Sequence, residues 1–334
     1  MDGYAPARMP AFANKRLVFV TGKGGVGKST VAVALAIAAA RRGLRTIVAE
    51  LSGQARAAEA FGIKPPCGEE VRLAEHLHAT SVGVDEALEE YLHERAGRVG
   101  DLLTASRAFH AFTGATPGMR ELMTIGKTWE LAQDPRRISG RRPYDLVVVD
   151  AFATGHALGA LRTPATFAEI ARVGPIAHQG RTIDATLRDP AQTAVVAVTL
   201  PEEMPVAETL ALHGGLREAI GQEPAAAVVN ACLPERLGPR QARTVADALE
   251  AAQDRVTHAA LRSALSQQAR ASAQRAQVER LVDGLARRSA EARQAAGDGG
   301  SPAGIPLLEL PYVFAEALDL PALEGLADRL EALL

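Results

Sequence analysis

Short apolar runs separated by helix-type segments recur along this chain of 334 residues. The first run, at residues 17–20, is followed by glycines and then by an alanine-rich segment at residues 31–40 that predicts a helix. A second strand is predicted over residues 45–51, after Gly43 ends that helix. Because strand, helix and strand follow one another within about 35 residues, they form a βαβ unit and indicate a parallel sheet.

The same apolar pattern returns in the second half of the chain. Runs at residues 144–150, 193–199 and 225–230 are typical of parallel strands that are covered on both faces, and residues 305–310 are predicted to form the last strand. The pattern therefore predicts an α/β protein with a doubly wound, mainly parallel sheet.

Two long segments carry helical rather than strand spacing, and we interpret both as helical insertions. Apolar stripes around Leu88, Phe109 and Ile125 place one insertion at about residues 71–140, a segment in which we find no strand signals. The other, at about residues 239–297, has the four- and three-residue spacing of a helical hairpin or short coiled coil. A helix pair that packs on its own core explains this spacing better than a coil that binds a partner.

Composition and charge narrow the class of protein. We expect one large domain at residues 15–334, carrying both insertions, after a loose tail at residues 1–14. A net charge of −2 offers no basic field for nucleic acid. Cys67 and Cys232 form no metal-binding pair and suit a reducing cytoplasm. Since no apolar run is long enough to span a bilayer, we also expect no stable membrane insertion.

The glycine-rich segment after the first strand carries the strongest chemical signal. Residues 22–30 read Gly-Lys-Gly-Gly-Val-Gly-Lys-Ser-Thr, in the strand–loop–helix context that a phosphate-binding loop requires. Glycines let backbone N–H groups converge on phosphates, and the helix N-terminus adds partial positive charge. Lys28 is predicted to reach the β- and γ-phosphates of ATP, and Ser29 to ligate Mg²⁺. The candidate nucleotide-binding residues of this loop are Gly24, Gly25, Val26, Gly27, Lys28, Ser29 and Thr30.

Lys23 is not part of the general phosphate-loop pattern, and it would repel Lys28 unless each lysine had its own negative partner. With this lysine, residues 23–30 resemble the deviant phosphate loop of a family of ATPases. That family includes the arsenite-pump ATPase, the tail-anchored-protein targeting ATPase, MinD and ParA types and the nitrogenase iron protein. The resemblance implies that Lys23 crosses a dimer interface to the nucleotide of the partner subunit. Residues 117–130 and 158–175 resemble an actinobacterial-style branch of the arsenite-pump-like ATPases.

Asp150 ends an apolar strand and is predicted to hold an Mg²⁺-bound water beside the loop. The residues that follow resemble the second switch of the family, D-x-x-P-T-G-H, with Ala153 in place of the proline. The resemblance implies that the Gly155 N–H senses the γ-phosphate. His156 also matches, and it is either part of this switch or an ordinary loop histidine.

The first switch departs from the family pattern. Family members that hydrolyse ATP well tend to show D-P-A-H after the second strand, with an aspartate that orients the attacking water. Glu50 lies in the register of that aspartate but is one methylene longer. Because a misplacement of about 1 Å can cost ~10²-fold in rate, we predict slow or absent hydrolysis. The alternative is that Glu50 makes a structural hydrogen bond at the end of its strand.

Further resemblance implies an adenine site and a cross-subunit acid. Asn230 matches an adenine-contacting asparagine, whose amide offers both a donor and an acceptor. Pro311 and Tyr312 match the segment on the other side of the adenine, although Tyr312 is equally well explained as a core residue. Glu208 or Glu203 matches a glutamate that crosses to the nucleotide of the partner, and helix capping is the alternative for either acid.

Together these features predict a dimeric ATPase with ATP or ADP and Mg²⁺ as cofactors. Its nucleotide state would be coupled to a helical subdomain that binds an unknown client or partner. The candidate catalytic residues are Lys23, Lys28, Glu50 and Asp150, and the candidate metal ligands are Ser29 and Asp150. Two cysteines cannot supply three thiolates for arsenite. The alternative is a weakly or non-hydrolysing subunit that binds ATP and pairs with a homologous ATPase chain.

Overall fold

A computed structural model of the chain describes residues 12, 14–51, 53–64, 67–96, 116–134, 136, 142–296, 304–315 and 318–334. Its strands are β1 (Leu17–Gly22), β2 (Thr46–Glu50), β3 (Val71–Ala74), β4 (Leu77–Ser81), β5 (Leu146–Ala153), β6 (Thr193–Thr199), β7 (Ala226–Cys232) and β8 (Leu307–Pro311). The helices are α1 (Lys28–Arg41), α2 (Arg56–Ala60), α3 (Val84–Ala96), α4 (Met119–Leu131), α5 (Thr154–Ala171), α6 (Pro175–Arg188), α7 (Glu203–Ile220), α8 (Pro239–Ala251), α9 (Arg255–Ala296) and α10 (Leu320–Leu330).

The strands form one sheet in the order β3-β4-β2-β5-β1-β6-β7-β8. All neighbours are parallel except β3 and β4, which are antiparallel. The prediction of a doubly wound, mainly parallel α/β fold is therefore confirmed. The carboxyl ends of the central strands meet at one edge, which is where ligands bind in folds of this kind.

Helices cover both faces of the sheet, as the near-continuous apolar strands require. On one face Val18 and Val20 pack with α1 and α10. On the other face Leu17 and Phe19 pack with α4 to α7. Because successive side chains of a strand point to opposite faces, the single run of β1 contributes to both cores.

The segment predicted to be a helical insertion from residue 71 begins instead with two strands, so the interpretation of its first ten or so residues as helical was wrong. In β3 half-buried and exposed residues alternate, and β4 lies beside β2 with Leu77 opposite Thr46. His76, with φ of 58°, closes the turn between the strands. Helices follow only from Val84 onward, and pairing with the edge of the sheet outweighs the weak strand signal of the sequence.

The helical stripe of α4 forms part of the main core. Leu122 and Ile125 are buried, and the Trp129 indole donates to Thr186 Oγ at 3.1 Å. The predicted stripe around Phe109 lies outside the described residues. In the described part of the chain, no helix combines the length and the apolar character needed to cross a membrane.

The predicted hairpin is formed by α8 and α9, and α9 contacts the body of the protein from about Gln268 onward. Val278, Leu281 and Leu285 pack against β7, whereas Val256 is 80% exposed. The apolar seam across the two helices is therefore not continuous, because the chain leaves the helix between Ala252 and Asp254. The tail prediction was also wrong at its end, since Phe12 is buried and its N–H donates to the Leu333 carbonyl at 3.0 Å.

Candidate functional site

The glycine-rich loop joins β1 to α1 at the carboxyl edge of the sheet. Gly22 has no room for a side chain, because a Cβ there would lie 2.0 Å from the Val198 carbonyl oxygen. Gly27 takes the left-handed conformation, with φ of 91°, directly before Lys28 begins the helix. Glycine alone adopts both positions without strain or collision, so the loop shape follows from the sequence.

The loop presents unpaired donors to the space above it. None of the N–H groups from Gly24 to Lys28 donates to an acceptor in the described part of the chain. The Lys28 ammonium donates to the Lys23 carbonyl at 3.1 Å. Burial lowers the pKa of Lys28, and the charge of Arg56 acts in the same direction while Asp150 opposes it. Open N–H groups and a cation at a helix N-terminus fit the phosphates of a nucleotide.

Ser29 and Asp150 meet beside the loop. The Ser29 hydroxyl donates to Asp150 Oδ2 at 2.5 Å, and Asp150 is only 4% exposed. Burial raises the pKa of Asp150, whereas the hydrogen bond from Ser29 and the charge of Lys28 lower it. A hydroxyl and a buried carboxylate are the hard oxygen ligands that Mg²⁺ prefers, so these residues fit a metal. Thr30 follows on the first turn of α1.

Glu50 uses both carboxylate oxygens within its own segment of chain. Oε1 accepts the Arg56 N–H at 2.9 Å and Oε2 accepts the Ala57 N–H at 3.2 Å. Burial raises the pKa of Glu50 to about 7, with Asp150 acting in the same direction and the two N–H groups opposing it. These contacts are the structural hydrogen bond that the sequence analysis considered as the alternative to orienting a water.

Lys23 has the separate negative partner that the double-lysine loop requires. Its ammonium lies 2.6 Å from Glu208 Oε1 on α7 of the same chain. Both side chains are partly exposed, at 29% and 39%. Glu208, and not Glu203, is therefore the acid that the fold brings to the loop.

The second candidate switch becomes the start of a helix. The strand β5 continues past Asp150 to Ala153, which then precedes α5 as its N-cap. Gly155 therefore lies in the first helical turn, where N–H groups lack helical partners. The His156 ring stacks on Phe152 with centroids 4.1 Å apart and contacts Glu121 of α4 at 2.8 Å. This contact joins the segment after Asp150 to a helix of the inserted region.

The candidate adenine residues gather at the ends of β7 and β8. The Asn230 amide donates to the Val26 carbonyl at 3.0 Å, which brings this residue against the phosphate loop. Pro311 ends β8, and the Tyr312 N–H donates to the Cys232 carbonyl at 2.8 Å. Tyr312 is 45% exposed, so its interpretation as a core residue was wrong. A contact of either loop with adenine stays a prediction.

One residue at the site was missed from the sequence. Arg56 begins α2, and its guanidinium donates to Ser29 Oγ at 3.3 Å. Its charge also acts on Lys28, Glu50 and Asp150. The available signal was an arginine at the start of the short alanine-rich run after Glu50. A helix that follows β2 would have its first turn near the edge of the sheet where β2 ends.

The chain is similar to known ATPases over most of its length. Residues 15–179 match the family model described as anion-transporting ATPase. ATPase BagA of Mycobacterium tuberculosis is 32% identical over 243 residues, which cover 70% of this chain and 69% of that protein. A putative arsenical pump-driving ATPase of Halobacterium salinarum is 29% identical over 67% of this chain and 36% of that protein. ATPase GET3 of Kluyveromyces lactis is 30% identical over 48% of this chain and 51% of that protein.

Proposed function

This chain belongs to the family of ArsA-like, anion-transporting ATPases, and we propose that it is a cytoplasmic ATP- and Mg²⁺-binding P-loop ATPase that works as a dimer. Lys28 and the N–H groups of the loop hold the phosphates. Ser29 would ligate Mg²⁺, and Asp150 would hold a water of that metal. The nucleotide state sets the position of helical segments that bind a client or partner.

One observation carries this proposal: a cation, a hydroxyl and a carboxylate meet at the loop. Lys28 supplies a cation, Ser29 a hydroxyl and Asp150 a buried carboxylate, within a site where loop N–H groups have no acceptor among the described residues. Asp150 is buried and forms no ion pair with any residue that the structure describes. Burial of a carboxylate in this way costs desolvation energy, which packing alone does not explain. A nucleotide with its metal satisfies all of these groups together.

Phosphate release by the purified protein tests the enzymatic part. We expect Mg²⁺-dependent release of phosphate from ATP that Lys28→Ala abolishes, because Lys28 balances the charge of the β- and γ-phosphates. Lys64→Ala is the control, since Lys64 is an exposed lysine outside the sequence of the phosphate loop. Equal rates for Lys28→Ala and the wild type would contradict the assignment of the loop.

Dimer closure is the second part of the proposal. Lys23 is held by Glu208 within one chain, and we propose that it leaves this partner to contact the nucleotide of a second subunit. The contact of His156 with Glu121 supports a link from the second switch to the inserted helices. We expect small-angle scattering to detect a more compact dimer with Mg²⁺ and ATP, and Lys23→Ala to lose this compaction. Unchanged scattering of the wild type with ATP would contradict dimer closure.

A second candidate function is favoured by the contacts of Glu50. Both of its oxygens accept N–H groups of α2, which takes one acceptor site of each oxygen and ties the carboxylate to the backbone of its own segment. We propose as the alternative a subunit that binds ATP, hydrolyses it weakly or not at all, and pairs with a homologous ATPase chain. Robust turnover by the purified chain alone would exclude this alternative, whereas binding of ATP without turnover would favour it.

A further inference from the structure

Arg56 is an exposed arginine whose guanidinium lies at the phosphate loop. Its Nη1 donates to Ser29 Oγ at 3.3 Å, and the described residues include no carboxylate that forms an ion pair with it. An exposed arginine without a carboxylate partner keeps most of its planar set of five donors available for an anion. Its position beside the candidate metal ligand places that set next to the outer end of a triphosphate.

The backbone of Arg56 is fixed although its side chain is exposed. Glu50 is buried at the end of β2 and its carboxylate accepts the N–H groups of Arg56 and Ala57. Because these are the first two residues of α2, the carboxylate caps the helix and holds its first turn at the edge of the sheet. The residue in the register of a catalytic aspartate thus positions an arginine.

Lys28 and Arg56 bring two positive charges close together beside the loop. Lys28 and Arg56 both act on Asp150, and Arg56 contributes to lowering the pKa of Lys28. These two cations repel each other, and an incoming polyanion relieves that repulsion.

From this geometry we propose that Arg56 recognises the terminal phosphate of ATP and that Glu50 is its positioning residue. Lys28 and the loop N–H groups hold the inner phosphates, while the guanidinium donates to the γ-phosphate oxygens. Arg56 then distinguishes ATP from ADP. It also supplies part of the positive charge that stabilises the γ-phosphate, from the same chain that binds the nucleotide. The inference rests on the proposed function, because it requires a nucleotide at the loop.

Calorimetric affinities for ATP and ADP, measured with and without Mg²⁺, test the role of Arg56. We expect Arg56→Ala to weaken ATP binding by about 10- to 100-fold, the range for one lost hydrogen bond to a charged group, and ADP binding by less than about threefold. Arg56→Lys should fall between, because a lysine keeps the charge but not the planar donor set.

A control arginine and the binding of the wild type show whether a failure concerns Arg56 or the nucleotide site as a whole. Arg41→Ala is the matched control, because Arg41 ends the same helix that Lys28 begins and pairs with Asp328 instead. Equal weakening of ATP and ADP by Arg56→Ala, or tighter binding of Mg²⁺ and ATP, would overturn the role of Arg56. If the wild-type protein bound neither nucleotide, the proposed function itself would fail.

A double-mutant cycle tests Glu50 as a positioning residue. Glu50→Ala should reduce the ratio of ATP to ADP affinity about as much as Arg56→Ala. The double variant should lose little more, because each change removes the same contact of Arg56 with the γ-phosphate. Glu50→Gln keeps one carbonyl acceptor for the α2 N–H groups and should restore part of the ratio. Additive losses, or a Glu50→Ala variant that is folded and keeps the wild-type ratio, would overturn the positioning role.

Discussion

Glu50 and Asp150 lie opposite each other on the neighbouring parallel strands β2 and β5, yet their carboxylates bind different parts of the site. Asp150 accepts the Ser29 hydroxyl of the phosphate loop at 2.5 Å. Glu50 accepts two backbone N–H groups of the helix that follows its own strand. Both carboxylates are buried, so the difference between them lies in their partners and not in exposure.

This difference shows that position at the end of a strand does not determine a role. In the proposed function, Asp150 faces the loop and would help to hold Mg²⁺ together with Ser29. Glu50 binds the backbone of α2, and we propose that it acts on a nucleotide through Arg56. We therefore expect substitutions of the two acids to produce different losses.

The largest effect is expected from Asp150→Asn. Loss of the buried negative charge should remove most of the gain in ATP affinity that Mg²⁺ provides, by about 10³-fold, since an amide replaces the anionic oxygen near the metal. Titration calorimetry with Mg²⁺ and with EDTA measures this gain. Asp328→Asn, at an exposed aspartate on α10, is the control. An unchanged response to Mg²⁺ in Asp150→Asn would remove Asp150 from the metal site.

An intermediate effect is expected from the raised pKa of Glu50. The native state binds the Glu50 proton more tightly than the unfolded chain, because the folded pKa is about 7 and the ordinary value is 4.5. This group therefore contributes stability that is complete below pH 4.5 and is lost as the pH rises through about 7. We expect the unfolding free energy of the metal-free protein to lose about 1–3 kcal/mol over that range because of Glu50.

Urea unfolding at a series of pH values, with EDTA present, measures this loss. Glu50→Gln does not titrate and should make the unfolding free energy less dependent on pH between 4.5 and 7. Parallel pH profiles for the wild type and Glu50→Gln would contradict the raised pKa. The same comparison with Asp150→Asn shows whether the two acids are independent.

The smallest effect is expected where α5 meets α4. His156 is 53% exposed and Glu121 is 23% exposed, so their contact should contribute less than about 1 kcal/mol to stability. A weak contact would suit the movement of this segment that we propose. A double-mutant cycle with His156→Ala and Glu121→Gln in urea measures the coupling. A coupling energy above about 2 kcal/mol would mean that this joint is rigid.

Much of this fold could be predicted from the sequence because its strands are strongly apolar. The central strands and the glycine loop were predicted near their observed places, as was the closeness of Asp150 to the loop. The hairpin of β3 and β4 was missed, since its strands are short and gain their stability from the edge of β2. Propensity alone carries little information about such edge strands.

The hydrogen-bond and ion-pair partners of the site residues could not be predicted in the same way. The partner of Lys23 is 185 residues away, and only the fold brings α7 beside the loop. The sequence placed Glu50 at the end of the second strand, but it contained no information on which N–H groups the carboxylate accepts. Arg56 was missed for the same reason, because its place at the site depends on where α2 begins.

The response of Glu50→Gln to Mg²⁺ tests the contrast between the two acids most directly. In calorimetry with Mg²⁺ and with EDTA, we expect Glu50→Gln to keep the gain in ATP affinity from Mg²⁺ within about threefold of the wild type, because Glu50 contacts α2 and not the candidate metal ligand Ser29. Loss of that gain to the level of Asp150→Asn would contradict this separation of the two acids and make Glu50 a second group of the metal site.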